Sequence, residues 1–203
     1  MVSGISRKHV IALLILITIS FIFLWSFIFQ DYQKQRILTL INPLEDVRGS
    51  GYNALQSVIA VGSGQWLGKG VGFGTQSRLR FLPEYQTDFI FAAFAEEWGF
   101  IGVLIIIFLF GLVVWRIIRN SMIGASNFEI LFGCGLAVWF ISHFTINVGM
   151  NVGLLPITGT TLPFLSYGGS HLLTEFAGLG VLMGMRKYGS LLYKTDKGEK
   201  TLI

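Results

Sequence analysis

The chain has 203 residues, of which 53% are hydrophobic and only 13% charged, and its mean hydropathy is +0.66, more than the polar surface of a soluble domain permits. Its formal net charge of +4 sits in short flanks of apolar runs, which argues for membrane orientation and against nucleic-acid binding. The single cysteine, Cys134, excludes disulfides within the chain and Cys-based zinc sites.

In chain order, the first element is an uncharged run over 10–29, long enough at about 1.5 Å per residue to cover about 30 Å of hydrocarbon. A signal peptide is the alternative, since Arg7, Lys8 and His9 precede it. The core is too long for one, and "QDYQKQR" follows where a small-residue cleavage site belongs. The next segment, 30–87, is read as one large loop outside the membrane. Within it Leu55, Val58 and Ile59 recur at helical spacing and predict a short helix.

"GSGQWLGKGVGFGTQS" comes next, with glycines at 62, 64, 68, 70, 72 and 74. Such backbone turns sharply, and its N–H groups together with Lys69 suit an anion. It is not a Walker loop: Gly64 to Lys69 has the wrong spacing, and Gly70 stands where Ser or Thr is required. Asp88 then opens an expected single helix running to Arg119, about 48 Å by its rise, which sets Asp88 just outside the bilayer and Glu96 and Glu97 two turns deeper. Acids at that depth need protein or water around them.

Three further spans are predicted at about 98–118, 130–155 and 165–186. The Lys and Arg pattern puts both termini and the tail 187–203, expected to be disordered, in the cytoplasm. The fold is therefore expected to be an all-α polytopic membrane domain, 1–203, of about four transmembrane helices. His143, Asn147 and Asn151 line one face of the third span, and His171 and Glu175 sit four apart in the fourth. Two such stripes are read as interhelical hydrogen-bonding glue or as a proton or substrate path. Gly149/Gly153 and Gly180/Gly184 are read as close-packing pairs. Between the last two spans, "GLLPITGTTLPFLSYGGSHLLTE" is too rich in Pro and Gly for continuous helix and is expected to line a cavity on the outer face.

From about Tyr32 to Gly184 the sequence closely resembles the SEDS family of polytopic membrane proteins. The resemblance is carried by "NPLEDVRGSGYNALQSVIAVGSGQWLGKGVGFGTQSRLRFLPEYQTDFIFAAFAEEWGFIG" and "NVGMNVGLLPITGTTLPFLSYGGS". It implies a peptidoglycan glycosyltransferase that polymerises lipid II at the outer face of the bacterial cytoplasmic membrane, beside membrane lipids and a class B penicillin-binding protein transpeptidase. The proposed catalytic carboxylate of the "PExxTDFIF" motif falls on Asp88, and the motif's other acid on Glu84. Lys69, Gln76, Ser77, Arg78, Arg80, Glu84, Thr87, Ser166 and Tyr167 are the expected substrate-binding set.

Family members usually have ten spans, so this chain looks like the last four, with a separate N-terminal half as a candidate partner. His171 and Glu175 follow "SYGGS" where many members have apolar or small residues, and the resemblance gives them no role. The implied chemistry needs a base for the acceptor hydroxyl, a role for Asp88, and positive charge for the departing pyrophosphate. Lys69, Arg78 and Arg80 are candidates, or a divalent cation such as Mg²⁺. The competing readings are a flippase for a lipid-linked precursor and an inactive scaffold for a cell-wall synthase.

Overall fold

The computed structural model describes residues 7–43, 49–122 and 127–200, and among them every regular element is helical. The run expected as the first span is helix α1, Arg7–Phe23, which continues as a π-helical turn over Leu24–Ile28. Helix α2, Asp31–Ile41, starts with a reciprocal cap in which the Gln30 N–H donates to Gln33 Oε1 at 3.1 Å. The predicted short helix of the outer segment is α3, Ser50–Ser63. It buries Gly51, Ser57 and Ala60 rather than its apolar stripe, whose Leu55, Val58 and Ile59 stay exposed.

The single turn α4, Thr75–Arg78, leads toward α5, Ile90–Met122, and α6, Asn127–Asn151. These last two are long and apolar enough to cross a membrane; the run expected at 98–118 falls on α5, and that expected at 130–155 on α6 only as far as Asn151. Helix α7, Gly169–Lys200, begins four residues inside the run expected at 165–186. It continues through the polar tail, where a disordered end was expected, because an established helix extends at little cost into residues such as Lys and Glu.

Two expectations are corrected. Gly149 and Gly153 are not a packing pair, since α6 stops at Asn151 and Gly153 lies beyond it at φ 76. The Leu154 N–H donates to Gly149 O at 2.8 Å and the Gly153 N–H to Met150 O at 3.3 Å, the pattern of a Schellman cap, which wants glycine at its left-handed position. A Cβ on Gly180 or Gly184 would touch nothing among the described residues.

The second correction concerns α5, which is not one continuous helix from Asp88. It begins at Ile90 and is broken at Gly99, where φ is 66 and ψ −167. The glycine-rich loop inserts into the gap. Lys69 and Gly70 N–H groups donate to Glu96 O and Glu97 O, both at 3.0 Å, while Phe100 and Ile101 N–H groups donate to Gln65 O and Trp66 O at 2.8 and 3.2 Å. Those are the four groups that would have bonded one another in unbroken helix, so none of the four is stranded. A Cβ at Gly99 would sit on Gly68 N.

Helix α5 packs most extensively on α6 and next on α3. The bundle core joins Ile117, Ala137, Phe140 and Leu182 from α5, α6 and α7, and a second cluster joins Ala60 of α3 and Leu82 to Phe89 and Ala92, which flank the start of α5. Between these clusters, α6 ends and α5 and α7 begin. The candidate site is at that end of the bundle.

Candidate active site

The turns over 83–89 deliver Asp88 two residues before α5. Its backbone carbonyl accepts from Asn147 Nδ2 at 3.0 Å and from Asn151 Nδ2 at 3.1 Å. The carbonyl of Thr87 accepts from Ser166 Oγ at 2.7 Å, and that of Gln86 from the Tyr167 N–H at 2.8 Å. Three consecutive peptides are thus held from α6 and from the 162–167 turn, which aims the Asp88 side chain without consuming it. Gly159, whose φ of 72 suits glycine, lies beside the carboxylate: a Cβ there would be in van der Waals contact with Asp88 Oδ2 at 3.4 Å.

Burial first, and the neighbouring Glu84 carboxylate second, push the Asp88 carboxyl above the usual aspartate range. Glu84 itself has φ 52, and its Oε2 accepts from Thr87 Oγ1 at 3.0 Å. An open cleft of about 460 Å³ in front of this segment is lined by Arg80, Glu84, Tyr85, Gln86, Thr87 and Tyr167.

The expected substrate-binding residues therefore divide. Arg80, Glu84, Thr87 and Tyr167 line the cleft beside Asp88. Ser166 is 3% exposed and stands behind it, accepting from the Leu162 N–H at 2.7 Å while donating to Thr87. Lys69 and Gln76 bond Glu96 instead, Ser77 Oγ donates to Gly74 O at 3.3 Å, and Arg78 ends α4 on an exposed position. The Glu96 carboxylate is fully buried and accepts from Lys69 Nζ at 2.7 Å, the Thr75 N–H and Oγ1 at 2.9 Å each, and the Gln76 N–H at 3.1 Å. The anion cradled by the glycine-rich loop is the protein's own Glu96. Loop and cleft are linked where the Leu82 N–H donates to Gln76 O at 3.1 Å.

Sequence reasoning singled out Asn147 and Asn151 as a stripe between helices but missed what they hold. Asn147 Nδ2 also donates to Thr160 O at 2.6 Å, and Ser57 Oγ donates to Asn151 Oδ1 at 3.0 Å. The stripe ties α3, the 158–167 segment and Asp88 together at one point. Its signal was the i, i+4 spacing of two fully buried amides at the very end of a helix.

Known proteins resemble this chain over most of its length. The family described as cell cycle protein, FtsW/RodA/SpoVE, matches residues 1–190. A peptidoglycan glycosyltransferase MrdB of Escherichia coli K12 is 40% identical over 193 residues, covering 95% of this chain and 52% of that protein. The stage V sporulation protein E of Bacillus subtilis is 47% identical over 163 residues, covering 77% of this chain and 43% of that protein. A chain in a solved peptidoglycan synthase complex that coordinates polymerization and crosslinking matches with a TM-score of 0.70 and 28% identity, over 92% of this chain and 51% of its own. The chain spans about half the length of these relatives, and it belongs to the FtsW/RodA/SpoVE family.

Proposed function

We propose that this chain carries the catalytic face of a peptidoglycan glycosyltransferase, with Asp88 as the general base. One observation supports this above the rest. A half-buried carboxylate, with burial and Glu84 acting against its ionised form, directly follows Thr87 in the wall of an open cleft, while four side-chain and backbone donors hold its peptide segment still. A base poised nearer neutrality is the better catalyst.

In this reading lipid II is donor and acceptor. Asp88 takes the proton of the acceptor sugar's hydroxyl, whose oxygen attacks the anomeric carbon of the donor. The bond to the polyprenyl pyrophosphate breaks, that group leaves with the electron pair, and a single displacement inverts the α-linked donor to a β-linked product. Arg80 on the cleft wall meets the developing negative charge, whereas Lys69 is committed to Glu96. A Mg²⁺ ion would supply the same charge. The described residues hold no cluster of three metal-ligating side chains, so such an ion would take most of its ligands from phosphate and water, with Glu84 or Asp88 as the hard oxygen donor available here.

The proposed setting is the bacterial cytoplasmic membrane, with four crossings (α1, α5, α6 and the first part of α7), cytoplasmic termini and the cleft on the outer side. The apolar surfaces of α1, α5 and α6 that stay exposed, Phe108 and Leu131 among them, suit membrane lipid or a neighbouring half of the synthase. A class B penicillin-binding protein is the proposed partner that crosslinks the product.

The test is Asp88→Asn, which keeps shape and removes the basic oxygen. Assembled synthase carrying it is expected to make no glycan from purified lipid II in liposomes. Wild-type polymerisation by the variant would overturn the assignment. Lipid II movement across the bilayer without polymer from the unmodified protein would favour the flippase reading, and partner binding with neither activity the scaffold.

A further inference from the structure

One residue of the segment between α6 and α7 has a conformation that its side chain disfavours. Phe164 has φ 64, in the left-handed region that a bulky residue occupies only where its surroundings impose it. Two sets of contacts do so. Its ring stacks on Phe140 at 5.0 Å between centroids and meets Phe176 edge-on at 6.0 Å. Its N–H donates to Glu175 Oε2 at 3.1 Å.

Glu175 is fully buried near the start of α7, where a carboxylate persists only if it is engaged. His171 Nδ1 lies 2.8 Å from its Oε1. That approach is off the line of a directed hydrogen bond, and it leaves Oε1 and His171 Nε2 without hydrogen-bond partners. Trp139 stacks against the His171 ring at 5.6 Å, and the His143 ring is 5.3 Å from it. The one hydrogen bond the Glu175 carboxylate makes therefore goes to the backbone of the strained residue.

That residue sits inside the turn that grips the catalytic segment. The turn closes through the Leu162 N–H to Ser166 Oγ at 2.7 Å and the Ser166 N–H to Leu162 O at 3.0 Å. From it, Ser166 and Tyr167 hold the carbonyls of Thr87 and Gln86. We infer that Glu175 is a positioning residue for Asp88, acting through the Phe164 N–H on the 162–167 turn. This rests on the reading of Asp88 as the base. Release of Phe164 from its left-handed conformation shifts Ser166 and Tyr167, and a base displaced by about 1 Å can cost on the order of 10²-fold in rate. A merely space-filling Glu175 would make no such demand.

Two substitutions of similar length separate the roles. Glu175→Gln keeps an oxygen to accept from Phe164, whereas Glu175→Met fills the same volume without one. In the full chain in detergent, amide hydrogen exchange across 162–167 is expected to rise about tenfold or more in E175M and to stay near wild type in E175Q. In the assembled synthase, E175M is expected to lower kcat by about tenfold or more with KM for lipid II unchanged, while E175Q keeps at least half the rate. Unchanged exchange in E175M overturns the inference even where activity falls, as does a wild-type kcat in E175M or an E175Q as slow as E175M. Asp88→Asn distinguishes the two failures. If it is dead while E175M runs at full rate, the base stands and the positioning role falls; if Asp88→Asn is fully active, the functional reading itself fails.

Discussion

Lys69 and Glu96 form an ion pair at 2.7 Å in which the carboxylate is fully buried and the lysine side chain 29% exposed. The pair joins the inserted loop to the upper half of broken α5, and it fixes α4 because the same carboxylate accepts the Thr75 and Gln76 N–H groups. Removing only the lysine strands a buried charge, which costs about 3–5 kcal/mol. Lys69→Met is therefore expected to lower the thermal midpoint in detergent far more than Glu96→Gln, whose amide oxygen still accepts from the loop. The double variant should recover most of the loss. Equal midpoints for the two single variants would contradict the assignment of Glu96 as the buried anchor.

Gly99 is the second fixed point of the same joint. Any other residue at φ 66 carries a strain of about 1–3 kcal/mol, and here a Cβ also collides with Gly68 N. Gly99→Ala is expected to expel the loop, seen as rapid proteolysis between 64 and 74 in folded protein. Resistance equal to wild type would mean that the break is not held by this contact.

The Asp88 carboxyl has its folded pKa raised by burial and by Glu84. A raised carboxyl favours the protonated form, so its contribution to stability is present at acid pH and lost as pH rises through the folded value. At neutral pH the ionised group works against the fold, and Asp88→Asn should match or exceed wild-type thermal stability there, the difference closing as pH falls toward the ordinary aspartate range. If Asp88 acts as the proposed base, activity is expected to have the opposite slope, because a base must be ionised. Glu84→Gln is expected to move the acid limb of kcat to lower pH by removing the repulsion. An unmoved limb would show that burial alone sets it.

How far these features could be read in advance depended on periodicity. Leu55, Val58 and Ile59 announced α3 because helical spacing is a local property of the chain. The 162–167 turn was foreseen as irregular because Pro163 and the nearby glycines leave little choice. The break at Gly99 was hidden, since one glycine in an apolar run is compatible with continuous helix and only the distant Gln65–Gly70 backbone completes the alternative pattern. For the same reason Lys69 looked free to meet a ligand: its partner is 27 positions away. Asn147 and Asn151 stood out as polar in an apolar helix, but their target is a backbone carbonyl, and every residue has one.

Those two asparagines are not expected to be equivalent. Asn151 donates to Asp88 O and to its own helix at Asn147 O, and accepts from Ser57, so its loss also loosens α3. Asn147 spans Asp88 O and Thr160 O. Asn147→Leu therefore removes the side-chain donor to Thr160 O, at a cost of about 1–3 kcal/mol if that carbonyl stays dry, and leaves Asp88 O held by Asn151 alone, but keeps α3 docked. Its kcat should fall with little change in KM, while Asn151→Leu should lose both activity and thermal stability.

In the proposed mechanism, the cleft residue expected to have most leverage on the substrate is Arg80. It is exposed, holds a left-handed φ of 58, and shares the cleft wall with Glu84 and Thr87, whereas Arg78 ends α4 outside that lining. A cation facing a pyrophosphate through water contributes more at low ionic strength, because the screening length falls from about 30 Å at 0.01 M to about 8 Å at 0.15 M. Arg80→Gln is accordingly expected to raise KM for lipid II several-fold at low salt, with the gap to wild type narrowing as salt increases. Arg78→Gln should do so more weakly. A solvated arginine without a phosphate partner would leave KM and its salt dependence untouched, and steady-state polymerisation at two ionic strengths separates the outcomes.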